Sequence, residues 1–153
     1  MLVRESILKF ERGVDPKKTL KIGLYNLIEE WLNQNLWDYT LPSTKYVING
    51  DMTIDMLTSC DLRQSSNEII IPEYIKFNKI NGFFTFPGRK VKSLVGWSPE
   101  IVKGNYHCND NLLTSLDGCP KIVNGDFTCQ RNKIRFTKEY VRSRCDVKGL
   151  IEV

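Results

Sequence analysis

The sequence predicts an α+β protein, with an N-terminal helical cap followed by a short solenoid of about five stacked parallel strands. Three observations carry this expectation: a glycine-centred phrase that recurs five times, apolar residues at alternate positions inside each copy, and one helical stripe ahead of the first copy. The phrase places an aliphatic residue two before the glycine and large or apolar residues two and four after it. It runs Ile48 to Ile54, Ile80 to Phe86, Val102 to Cys108, Val123 to Cys129 and Val147 to Val153. Its glycines, Gly50, Gly82, Gly104, Gly125 and Gly149, are 32, 22, 21 and 24 residues apart. Self-similarity at such a period is the mark of units that bury an apolar face only by stacking.

The helix comes first. Asp15-Pro16 is a start signal, because aspartate can cap orphan amides and proline suits the first helical position. From there Leu20, Leu24, Leu27, Ile28, Trp31 and Leu32 fall at helical spacing, while Lys17, Lys18, Lys21, Glu29 and Glu30 lie mostly on the other side. One amphipathic helix of about four turns is predicted. Its expected role is to close the first coil, since solenoid ends leave apolar faces open. Residues 1–40 therefore read as a leader and capping helix, and residues 41–153 as the solenoid. The segment from Tyr39 to Tyr46, with Leu41-Pro42-Ser43, links helix to solenoid.

Within each copy the alternation of apolar and polar residues predicts a half-buried strand with one dry and one wet face. Five such strands, about 4.8 Å apart, would make a small parallel sheet. The predicted inward columns are Ile48/Ile80/Val102/Val123/Val147, Met52/Phe84/Tyr106/Phe127/Ile151 and Ile54/Phe86/Cys108/Cys129/Val153. The long first step predicts one expanded coil over residues 57–79. The clearest return arm is Asn111 to Pro120, where Leu116, Gly118 and Pro120 match Leu94, Gly96 and Pro99 one unit earlier. Gly and Pro there suit a loop that cannot continue as strand. Asn111 and Asn132 each follow their cysteine by three residues, where a side-chain amide can satisfy backbone groups at a turn.

The last unit differs. Its linker, Thr137 to Asp146, has neither Gly nor Pro, and Thr137 to Arg142 predicts a short helix. Between Arg131 and Lys148 stand seven basic residues against Glu139 and Asp146, a surplus of five that exceeds the whole chain's net charge of +4. Positive charge is thus concentrated in a basic C-terminal coil.

The phrase Gly104-Asn105-Tyr106-His107-Cys108-Asn109-Asp110-Asn111-Leu112-Leu113-Thr114-Ser115-Leu116-Asp117-Gly118-Cys119-Pro120 resembles short-coil, leucine-rich-repeat-like proteins with units of the form G-x-F-x-C-x-x-N-x-L-x-S-L-x-G-x-P. Such repeats are familiar from large tailed bacteriophages and bacterial mobile elements. The match spans Gly82 to Asn132, and the stretch from Glu5 to Lys17 looks like the leader on such phage proteins. The resemblance implies a binding scaffold and not an enzyme.

The residues agree with that expectation. Five cysteines, Cys60, Cys108, Cys119, Cys129 and Cys145, lack the paired spacing of a zinc site. Cys108 and Cys129 share one repeat position and read as small buried hydrophobes, with His107 on the opposite strand face. The chain has no phosphate-cradling Gly-Lys-Ser/Thr loop, no His-Glu-x-x-His and no Cys-His nucleophile pair. No catalytic residue, cofactor or metal is assigned. No apolar run reaches membrane-spanning length, and Met1 to Ser6 does not read as a signal peptide, so a soluble cytoplasmic protein is expected, in the host cell if phage-encoded.

The leading expectation is a protein-interaction module whose wet face offers Phe83, Thr85, Asn105, His107, Asp126, Thr128 and Leu150, with Trp97 as an aromatic anchor in a return loop. Its most concrete form, resting on the resemblance, is a phage factor that binds and inhibits a host protein, for instance a component of antiviral defence. A second expectation is binding to nucleic acid, or inhibition of a protein–RNA complex, through Arg131, Lys133, Arg135, Lys138, Arg142 and Arg144. A third is a structural or virion-associated role.

Overall fold

The computed structural model describes residues 15–37, 45–63 and 68–153. Most of the leader and most of the linker from Tyr39 to Tyr46 lie outside the described residues.

Helix α1 spans Pro16–Asn35, longer than the four turns expected. The start signal works as the residue types require: the Asp15 carboxylate accepts the Lys17 backbone N–H at 3.0 Å, with proline in the first turn. The helix buries Ile28, Trp31, Leu32 and Asn35, so its C-terminal half meets the core while Leu20 and Ile22 stay exposed. Trp31 packs edge-on against Phe77 at 6.4 Å and donates its indole N–H to the Ile70 carbonyl at 2.9 Å.

Strand β1 (Tyr46–Ile48) turns back on β2 (Ile54–Met56) as an antiparallel hairpin. Among the described residues nine further short strands follow: β3 (Cys60–Asp61), β4 (Phe77–Ile80), β5 (Phe84–Thr85), β6 (Ile101–Val102), β7 (Tyr106–His107), β8 (Ile122–Val123), β9 (Phe127–Thr128), β10 (Asp146–Val147) and β11 (Ile151–Glu152). Helix α2 (Lys138–Arg144) lies before β10. One sheet runs β1-β2-β4-β6-β8-β10 and the other β3-β5-β7-β9-β11, with every pairing after the hairpin parallel. The solenoid is therefore present, and each of its two sheets stacks five parallel strands.

Two details differ from the sequence reading. Each of the last four phrases is not one strand but two, because the chain bends around the glycine and passes from the first sheet to the second. The glycines make that corner tight: a Cβ on Gly104 would lie 2.8 Å from the Gly82 carbonyl carbon, and one on Gly149 would lie 2.6 Å from that of Gly125. Backbone meets backbone from coil to coil, so a side chain is excluded.

The second difference is register. Met56 pairs with Ile80 and Cys60 with Phe84, which sets Thr58 at the corner of the first coil. The step from Thr58 to Gly82 is 24 residues, in line with the others, and Ile48 to Ile54 is the hairpin and not a coil. A Cβ on Gly50 would meet nothing within 4 Å. The inward columns thus begin with Met56, Cys60 and Leu62, all buried, in place of Ile48, Met52 and Ile54. The corner glycine is demanded by the coil beneath it. Beneath the first coil there is none, so Thr58 is tolerated.

The column above Cys60 forms an aromatic spine. Phe84 stacks on Tyr106 with centroids 5.9 Å apart and rings within 7° of parallel, and Tyr106 contacts Phe127 at 5.1 Å. The buried Tyr106 hydroxyl pairs with Ser98 at 2.8 Å. At the turn after the second sheet, Asn111 is buried and its amide donates to the carbonyls of Phe86, Cys108 and Asn109, while its oxygen accepts the N–H groups of Arg89 and Val91. Asn132 repeats this, donating to Cys108 and Cys129 and accepting from Leu113. Such bonds replace the ladder where the chain leaves the strands.

Candidate binding surface

The outward face of the second sheet carries two rows of side chains set by the strand pleat. The row just after the corner is Ser59, Phe83, Asn105, Asp126 and Leu150, and the next is Asp61, Thr85, His107, Thr128 and Glu152. The first row is partly a structural ladder. Ser59 Oγ accepts the Phe83 N–H at 3.1 Å, Asn105 Oδ1 accepts the Asp126 N–H at 2.8 Å, and Asp126 Oδ1 accepts the Leu150 N–H at 2.7 Å. Phe83 and Leu150 have no oxygen to extend it, and they are 41% and 69% exposed. Three strand spacings, about 14 Å, separate them.

The second row is more enclosed than an outward row on a flat sheet. Asp61, Thr85 and Thr128 are buried, and His107 is half-buried with Nδ1 2.6 Å from Thr128 Oγ1. Asp61 is held by the Arg63 guanidinium through both carboxylate oxygens. Burial depresses the His107 pKa below its ordinary value, partly opposed by the charges of Asp126 and Glu152. Neutral histidine is therefore favoured at this position.

The residues singled out in the sequence divide accordingly. Phe83 and Leu150 stand at the surface, and Asn105, Asp126 and His107 lie between them with their side chains engaged in coil-to-coil bonds. Thr85 and Thr128 face the same way but are covered. Trp97 is a core residue, 6% exposed, set edge-on to Phe86 at 5.1 Å and donating to the Ser93 carbonyl at 2.7 Å. Its place in a return loop hid this, because return loops here fold over the apolar columns. Sequence reasoning missed Trp37, which is 41% exposed and lines a cleft of about 250 Å³ with Leu36, Thr58, Ser59 and Phe83. The end of α1 brings it there; no periodicity in the sequence marks it.

The basic residues also divide. Arg131 holds Asp110 through two bonds of 2.6 and 2.9 Å, Arg144 pairs with Asp117 at 2.9 Å and lies over the Tyr140 ring at 5.3 Å, and Lys148 pairs with Asp146 at 2.6 Å. Hydrogen bonding from Arg131 lowers the Asp110 pKa. Lys133, Arg135, Lys138 and Arg142 are exposed and make no ion pair among the described residues. Lys138 and Arg142 are four apart on α2 and share one face.

All five cysteines are free, and burial raises every thiol pKa, that of Cys119 to about 11 and those of Cys129 and Cys145 to about 12. Thiolate is scarce at neutral pH, so these groups are poor nucleophiles and poor metal ligands. Cys108 and Cys129 lie in one buried column, as their repeat position implied. Among the described residues no cluster of His, Cys, Asp or Glu is arranged to hold a metal ion, and no helix is long and apolar enough to cross a membrane. No protein-family model matches the chain, and neither a curated protein nor a solved structure matches it.

Proposed function

We propose that this chain is a non-catalytic protein-binding module that reads a partner across the outward face of its second sheet. One observation carries the reading: two large apolar side chains, Phe83 and Leu150, stand exposed on a parallel sheet, with hydrogen-bonded polar groups between them. Apolar anchors flanked by satisfied polar groups suit an interface, because ordering them costs little on binding. The resemblance of residues 82–132 to phage repeat proteins gives the concrete form. The partner is then a host protein, such as a component of antiviral defence, inhibited in the host cytoplasm by occupation of its surface.

The test is affinity capture from bacterial lysate with the full chain, in parallel with the double variant Phe83→Ala/Leu150→Ala. A stoichiometric protein retained by the wild type and weakened about thirtyfold by the double variant is expected, in line with losing roughly 2 kcal/mol at anchor positions. Recovery of no such protein, or equal recovery by both, overturns the reading.

A second reading, nucleic-acid binding at the C-terminal coil, is favoured by the four exposed cations that make no ion pair among the described residues. It predicts RNA or DNA binding that falls steeply with salt and is lost in Lys138→Glu/Arg142→Glu. Binding unchanged by that reversal removes it.

A further inference from the structure

We infer that the cleft beside Phe83 and the carboxylate of Asp126 form one site for an extended partner segment, with an apolar side chain at one position and a lysine or arginine four residues on. The inference rests on the protein-binding reading and names the chemistry of the partner. The cleft of about 250 Å³ is walled by Leu36, Trp37, Met56, Thr58, Ser59 and Phe83. Trp37 and Phe83 are each 41% exposed, so the cleft offers aromatic surface. It is smaller than the roughly 300–1,000 Å³ of small-molecule pockets and suits a single large side chain. Among the described residues the charged groups on its wall are Lys45 and Asp61, and the Asp61 carboxylate already holds the Arg63 guanidinium through both oxygens. The cleft therefore selects an apolar occupant over a cation.

From Ser59 and Phe83 the first outward row continues through Asn105 to Asp126, one strand spacing at a time. Asn105 Oδ1 is held by the Asp126 N–H, which leaves Nδ2 as a donor with no hydrogen bond among the described residues. Asp126 is half-buried. Its Oδ1 accepts the Leu150 N–H, and its charge meets no ion pair among the described residues. From β5 to β9 the two outward rows carry no lysine or arginine, so the charge that answers Asp126 comes from the partner.

Spacing selects the backbone of that partner. With the cleft between Ser59 and Phe83, Asp126 lies about two and a half strand spacings away, about 12 Å. An extended chain advances about 3.3 Å per residue and turns every second side chain to the same side. Residues i and i+4 then span about 13 Å and both face the sheet, one in the cleft and the other at Asp126. The carbonyl groups between them pass Asn105 Nδ2, which can donate to one. A helix satisfies its own carbonyls and has no use for that donor.

The test is NMR titration of the full chain with the end-blocked peptide Phe-Ser-Thr-Ser-Arg, using Phe-Ser-Thr-Ser-Glu and Ser-Ser-Thr-Ser-Arg as contrasts. The first peptide should shift the Trp37 indole, Phe83 backbone and Asn105 side-chain amide signals, and should bind about fivefold more tightly than either contrast. Asp126→Asn keeps an oxygen for the Leu150 N–H and removes the charge. It should abolish the preference for arginine over glutamate while the cleft signals still respond. Phe83→Ala, on an exposed side chain, should weaken binding about tenfold. No saturable shift with any peptide, equal binding of all three, a preference unchanged in Asp126→Asn, shifts centred on Lys138 and Arg142, or a face occupied by a second copy in a concentration-dependent dimer would each overturn the inference. Asp126→Asn also separates it from the broader reading. A captured lysate protein lost in Phe83→Ala/Leu150→Ala but retained in full by Asp126→Asn would overturn this site and leave the protein-binding reading standing, whereas indifference to all of these variants would overturn both.

Discussion

A methyl group at position 125 has nowhere to go. It would sit 2.1 Å from Asn105 Oδ1 and 2.7 Å from the Gly104 carbonyl carbon, so Gly125→Ala must push adjacent coils apart or break the Asn105 bond to Asp126. We expect about 2–3 kcal/mol of destabilisation in urea titration, the range of overpacking in rigid surroundings. Gly50→Ala, with open space around it, should change stability by less than about 0.5 kcal/mol. Equal losses at the two sites would contradict the register that begins at Thr58. His107 supplies a second residue-level expectation. Its folded-state pKa lies below the unfolded value of about 6.5, so the unfolded chain takes up the proton first. The stability associated with neutral His107 is full above pH 6.5 and is lost as pH falls through the lower folded value. His107→Gln, compared with the wild type by thermal melts from pH 7 to 4.5, should remove that step.

At the scale of the element, the short pieces hold by local devices that outweigh their length. Helix α2 has only 7 residues, too few to persist alone, yet Thr137 caps the Tyr140 N–H at 3.1 Å, Val141 is fully buried, and the Tyr140 hydroxyl accepts the Leu116 N–H at 3.3 Å. Thr137→Ala should cost about 1 kcal/mol by chemical denaturation. The Asn111 amide makes five bonds to backbone at a buried turn, so Asn111→Ala strands several polar groups and should cost about 3 kcal/mol or more. Both helices, the return arms and the roles of Asn111, Cys108 and Cys129 were legible in the sequence, because caps, turns and repeat positions act over a few residues. The division of each phrase between two sheets was not, since alternation reads the same whether or not the chain bends at the glycine. Trp97 was misplaced for a related reason: an aromatic in a loop is buried or exposed according to where the loop folds.

For the whole molecule, the stack is nearly one-dimensional, with each coil held by its neighbours. Trp31, Phe77, Phe84, Tyr106 and Phe127 run from the cap into three successive coils, so loss of the cap propagates inward. Trp31→Ala should cost about 3–5 kcal/mol and lift amide protection first in β2 and β3. The repeat phrase determined the solenoid and the burial of Cys108 and Cys129, because stacking imposes the same residue type at the same place in each copy, and the apolar stripe after Asp15-Pro16 determined the helix. The tertiary structure decided where the stack begins, which cations pair with carboxylates of other coils, and that Phe83 and Leu150 reach the surface while Trp97 and Thr85 do not. Those outcomes depend on which groups from distant coils arrive side by side, and the glycine requirement itself comes from the coil below and so is silent in the first.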